Sequence, residues 1–156
     1  MSDPTPRIPP LRRFDRTGIP LLLARLILGG MFIYMGLHKL ADPIAFLKLV
    51  RMYHMLPETP PYFLNSVAIA LPWLEVFTGV ALLIGLSVRG AAAIMTIMLC
   101  VFTPAIFLRA LKMVAETGQS FFQISFDCGC GSGEVVIWKK VTENLLLILL
   151  SILAVA

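Results

Sequence analysis

Three stretches of this chain are too long and too apolar for a water-soluble fold of its size. Ile19 to His38 runs for 20 residues with one formal charge, Arg25. Ser66 to Leu86 runs for 21 residues with one charge, Glu75, and Gly90 to Leu108 for 19 residues with none. A helix crossing a bilayer needs about 20 mostly apolar residues. The whole chain is 58% apolar and 14% charged, against about 45–50% and about 25% in soluble domains. A bilayer is the solvent that accommodates that surplus.

A fourth, shorter run covers residues 141–156, 16 residues or about 24 Å at 1.5 Å per residue. Tilt, local thinning and snorkelling of Lys139 and Lys140 let it span. The expected fold is therefore all-α, an integral membrane bundle of four helices near 19–38, 66–86, 90–108 and 141–156. The third helix is expected to run on toward Glu116. Residues 43–56 mix apolar and basic side chains at helical spacing, which predicts a short helix lying in the interface between the first two spans. Pro57, Pro60 and Pro61 end it. Alternation of long and short loops predicts two helical hairpins.

Residues 1–18 carry four prolines and four arginines and read as a disordered basic tail. One transmembrane domain, 19–156, follows. The first apolar run exceeds a signal-peptide core and lacks a small-residue cleavage pattern, so it reads as a retained span. Four spans put both termini on one side. Five basic residues fall on that side and seven on the other. The flank of the first span weighs most, and Arg7, Arg12, Arg13 and Arg16 precede it. The expected location is the cell inner membrane, with cytoplasmic termini and residues 117–137 facing the periplasm. Basic residues form no stripe suited to nucleic acid, so no nucleic-acid partner is expected; membrane lipids are.

Residues 117–137 form a polar, glycine-containing segment holding Asp127-Cys128-Gly129-Cys130. Cys128 and Cys130 are close enough to form a small disulfide ring, and such rings exchange readily. Two readings stand: a redox-active dithiol that exchanges with a partner, and a static disulfide in an exported loop. Asp127 tends to raise the thiol pKa, whereas Lys139 and Lys140 lower it if the chain folds back. His38, His54, Met52 and Met55 fall on the same side as a soft-metal candidate set. None has metal-finger spacing, and no metal is assigned.

Charges inside spans are costly and normally face the interior in pairs. Arg25 and Glu75 are the candidates for a structural polar pair between the first two spans, although antiparallel helices leave them roughly 10 Å apart in depth. A polar pocket for a quinone or a proton path is the functional alternative. Pro72 and Pro104 stand inside spans, where they kink helices or aid packing. Gly29, Gly30, Gly36, Gly79 and Gly85 permit close helix approach. Cys100 reads as a small core residue. Glu143 and Asn144 cap the last helix or join the polar network, and Trp138 is an interfacial anchor.

The same residues carry a family resemblance. Ala24-Arg25-Leu26, Gly29-Gly30 and Gly36-Leu37-His38-Lys39-Leu40 resemble the first helix of DoxX-like membrane proteins. Leu71-Pro72-Trp73-Leu74-Glu75 with Gly79 and Gly85 resembles their second. The Asp127-Cys128-Gly129-Cys130-Gly131 loop, a Trp and a last helix look like the MauE (methylamine utilisation) branch. The resemblance covers about residues 20–156. It departs at Glu143-Asn144, where the family pattern has Arg-Asn.

It implies a four-helix inner-membrane protein that supports periplasmic thiol–disulfide chemistry at Cys128 and Cys130. The implied partner is an exported redox enzyme such as methylamine dehydrogenase, whose small subunit is rich in disulfides. The DoxX side implies instead a non-catalytic subunit of a quinone-linked oxidoreductase complex, with quinone as the candidate cofactor. Cys100 stands alone, so the chain lacks a second dithiol and a relay through it needs a partner.

Overall fold

The computed structural model describes residues 19–53, 61–131 and 133–155. The expected tail at 1–18, and His54 and Met55, lie outside the described residues. What is described is mostly helical. α1 covers Ile19–Ala41, α2 Pro43–Met52, α3 Pro61–Ile84, α4 Val88–Thr117 and α5 Ile137–Val155. Between α4 and α5 lie a 3₁₀ turn, Phe121–Gln123, and a two-stranded antiparallel hairpin of β1, Ser125–Asp127, and β2, Glu134–Val136.

Helix boundaries follow local chemistry. Asp42 caps α2, its carboxylate accepting the Ala45 N–H at 2.9 Å, and Pro43 opens the first turn. At the other end of α4, Gly118 adopts φ +69°, and its N–H closes on the Val114 carbonyl at 2.9 Å. α4 does continue past Leu108 as the amphipathic pattern predicts. α5 begins four residues earlier than expected, because β2 runs straight into it. The sequence-based loop at 117–137 is in fact a turn and a hairpin, with Phe126 opposite Val135 and Asp127 opposite Glu134.

α1, α3 and α4 are long and apolar enough to cross a membrane, with mean hydropathies of 1.7, 2.1 and 2.3. Their outer faces are apolar and exposed: Leu22 and Leu26 on α1, Ile69 and Phe77 on α3, Ile97 and Val101 on α4. Contiguous apolar surface on this scale belongs against lipid rather than water. Cys100 lies on that outer face, not in the core as expected; its neighbours Met98 and Leu99 take the buried positions instead.

The closest packing joins α1 to α3 and α4 to α5. Gly29 and Gly79 let the first pair approach backbone to backbone. A Cβ on either glycine would sit 2.9 Å from the other's carbonyl oxygen. The second pair is tied by polar side chains, Thr96 to Ser151 at 2.8 Å and Asn144 to Thr103 at 3.3 Å, the usual adhesive between apolar helices. One core, around Leu28, Phe32, Leu82 and Met95, fills the space between the four long helices. A second, around Ile106, Ile124, Phe126 and Ile137, lies under the hairpin.

Candidate functional site

The buried stripe of α1 passes through Leu28, Phe32, Met35 and Lys39 at intervals of four, three and four residues. The matching stripe of α3 includes Ala68, Pro72, Glu75 and Leu82. Each stripe thus delivers one charged residue to the interior. Lys39 is 7% exposed and Glu75 3%, and the Lys39 ammonium is bound to Glu75 Oε1.

The expected Arg25–Glu75 pair does not form. With Gly29 facing Gly79 and Gly36 facing the Pro72 carbonyl, Arg25 lies level with the end of α3. Its guanidinium donates to the carbonyls of Leu82 at 2.9 Å and Leu83 at 3.2 Å. Those last-turn carbonyls lack helical partners and sit at the negative end of the helix dipole. Side chains on a helix lean toward its N-terminus. Lys39 and Glu75, on antiparallel helices, therefore lean toward each other across a level difference of roughly 9 Å, whereas Arg25 leans away from Glu75.

The hairpin brings the cysteines to this pair. Cys128 and Cys130 are joined by a disulfide, with Cα atoms 5.4 Å apart. Gly129 and Gly131, both at positive φ, flank Cys130. Asp127 accepts the Gly129 N–H at 2.8 Å, an Asx turn that folds the loop back. A Cβ on Gly131 would lie 2.7 Å from His38 Cβ, so the loop packs directly on the end of α1. Tyr53, just past α2, donates its hydroxyl to the Cys128 carbonyl at 3.1 Å. Arg109 lies between the Tyr53 and Phe126 rings, 4.9 and 4.4 Å from their centroids. Burial pushes the Tyr53 phenol above its ordinary pKa, against the pull of Arg109.

Beneath the loop is a cavity of about 30 Å³ lined by Lys39, Glu75, Asn144, Cys128 and Cys130, with Phe32, Met35 and Phe102 among its apolar walls. Among the described residues, Glu75 Oε2 is buried without a hydrogen-bond partner. A wider cleft of about 210 Å³ opens on the other side of Gly129, between α2 and the loop. Its lining includes His38, Lys39, Asp42 and Asp127. Lys39 thus borders both spaces. Of the lysines expected near the thiols, Lys139 lies 5.8 Å from the Trp138 ring centroid, and Lys140, buried near Lys39, pairs with Glu143 at 3.0 Å.

Sequence reasoning missed Lys39 as the partner of Glu75. The signal was present in the four-three-four spacing that puts Lys39 in line with Met35 and Phe32. The inner cavity is sized for water; ligand pockets usually run to about 300–1,000 Å³. It does not fit a quinone ring, so no step is routed through one.

Apolar helices with lipid-suited outer faces, closed at one end by a disulfide loop over a buried ion pair, define a helical membrane protein. The chain belongs to the MauE family, described as methylamine utilisation protein MauE, which matches residues 17–156. Comparison with curated proteins and with solved structures gives no match.

Proposed function

We propose that this protein exchanges disulfides with an exported partner through Cys128 and Cys130, in support of the maturation of a disulfide-bearing redox enzyme. Methylamine dehydrogenase, suggested by the family's description, is the first partner to test. The observation that carries this reading is the placement of the Cys128–Cys130 disulfide in a tethered loop, with an open cleft on one side and a buried ion pair on the other.

In this reading the chain spans the inner membrane four times, with α5 as the fourth span and α2 in the interface. Both termini are cytoplasmic and the hairpin is periplasmic. Cys130 is the more exposed cysteine and Cys128 is 5% exposed. A partner thiolate attacks Cys130 Sγ, the Cys128–Cys130 bond breaks, and Cys128 leaves as a thiolate. The partner's second thiolate then attacks its own sulfur in the mixed disulfide and releases Cys130. The partner loses two electrons and two protons; Cys128 and Cys130 gain them. With no second dithiol in the chain, reoxidation falls to another disulfide-bearing protein.

Substituting Cys128→Ser leaves Cys130 a lone thiol, which attacks the disulfide of the oxidised exported protein in the reverse of the last step; with no Cys128 to displace the partner, a mixed disulfide is expected to accumulate in cells. Full maturation of that protein by the Cys128→Ser/Cys130→Ser double variant would sink the proposal and leave a structural role for the loop.

A further inference from the structure

Beneath the loop, two charged side chains have no part in the exchange, yet line one cavity with both cysteines. Resting on the exchange reading, we propose that Lys39 stabilises the Cys128 thiolate released when the disulfide opens and that the Lys39–Glu75 pair then supplies its proton.

Three observations converge. Lys39, Glu75, Cys128 and Cys130 line one cavity of about 30 Å³. That volume admits a water, which needs roughly 10–15 Å³ and two or more polar partners. Glu75 Oε2 faces no donor among the described residues, so the pair retains one acceptor position after Lys39 has engaged Oε1. Finally, Lys39 borders the outer cleft as well as the inner cavity. That gives a proton a way between the sulfur and the water-accessible face.

The step balances. Attack on Cys130 breaks the disulfide and places a negative charge on Cys128 Sγ at the cavity wall. The Lys39 ammonium compensates that charge, which makes the thiolate a better leaving group. A proton then passes from the Lys39–Glu75 pair to Cys128 Sγ, directly or through a cavity water. The pair recovers it from the cleft, where the partner's thiols release theirs. The pair ends unchanged.

Other charged groups near the site are accounted for. Asp127 is held by the Gly129 N–H. Lys140 adds positive charge beside Lys39 but is itself paired with Glu143. Arg109 is stacked between Tyr53 and Phe126. His38 and Asp42 border the outer cleft, and α2 contributes only apolar side chains, Phe46 among them, to it.

The test uses the full chain in lipid nanodiscs with Cys100→Ala, so that the dithiol supplies the only thiols. After reduction, iodoacetamide alkylation of Cys128 and Cys130 is followed against pH, and opening of the disulfide by dithiothreitol is timed. Lys39→Met is expected to raise the apparent thiol pKa by about one unit, tenfold in thiolate fraction at fixed pH, and to slow opening several-fold. Glu75→Gln is expected to move the profile the other way. The double variant Lys39→Met/Glu75→Gln leaves neither partner stranded and is expected to return toward the parent profile. Profiles that coincide with the parent, or single-variant shifts in the same direction, overturn the proposal. These readouts need no exported partner. A failed partner trap with opposed shifts therefore removes the exchange reading alone, and a successful trap without shifts removes this one alone.

Discussion

Lys39 of α1 and Glu75 of α3 form a buried ion pair that ties the two helices together directly under the Cys128–Cys130 loop. Desolvating two charges is expensive, and their attraction offsets that only while both remain. Glu75→Ala should therefore cost about 3–5 kcal/mol, the usual penalty for stranding one member of a buried pair. Lys112 and Glu116 make an exposed contact at 3.9 Å, and Lys112→Ala should change stability by no more than about 0.5 kcal/mol. Denaturation in detergent compares the two; equal losses would refute the difference in burial.

Close approach of α1 and α3 makes a second contrast. A Cβ at Gly79 would fall 2.8 Å from Ile33 Cγ1 and 2.9 Å from the Gly29 carbonyl oxygen, which cannot move aside cheaply. Gly79→Val should destabilise by at least about 1–3 kcal/mol through overpacking. At Gly30 nothing lies within 4 Å of an added Cβ, so Gly30→Ala should be neutral or stabilising, by up to about 1 kcal/mol from helix propensity. Thermal melts of both variants check the pair, and a Gly30→Ala melt as low as that of Gly79→Val would contradict it.

Tyr53→Phe removes the hydroxyl that holds the Cys128 carbonyl. The expected loss is about 0.5–1.5 kcal/mol at neutral pH, seen as faster hydrogen exchange in the amides of residues 127–131. Because burial raises the phenol's pKa in the fold, the bond contributes fully below the ordinary value of about 10. It is lost as pH rises through the still higher folded value. Parent and variant should therefore differ at neutral pH and converge only in strong alkali; a difference that faded near neutrality would exclude the phenol as its source.

Labelling in intact cells tests orientation. After reduction, a membrane-impermeant maleimide should modify the Cys128/Cys130 pair from outside. Cys100, on the apolar outer face of α4, should resist that reagent and react only with a permeant one. Dithiol labelling that appears only after the cells are opened would reverse the proposed topology.

Hydropathy alone located the apolar stretches of α1, α3, α4 and the last helix, because apolarity is a property of a segment and needs no knowledge of its neighbours. It did not fix their ends, for α3 starts five residues early at Pro61, a proline expected to end the preceding helix, and α4 runs nine residues past Leu108. The cysteine pair was equally visible, since its spacing is local. Pairing of the interior charges was not. Arg25 and Glu75 are the charges that stand out in the apolar runs, yet helix register and the lean of side chains toward each N-terminus hand Glu75 to Lys39 and Arg25 to the end of α3. The hairpin hid in a short polar segment whose strands are three residues each, too brief for alternation to register. Its meeting with Lys39 and Glu75 depends on residues some 50 to 100 positions apart in the chain, brought together by packing that no local pattern encodes. Sequence by itself determined that the chain is a set of apolar helices with one closely spaced cysteine pair. Only the tertiary structure decided which charge lies beneath it.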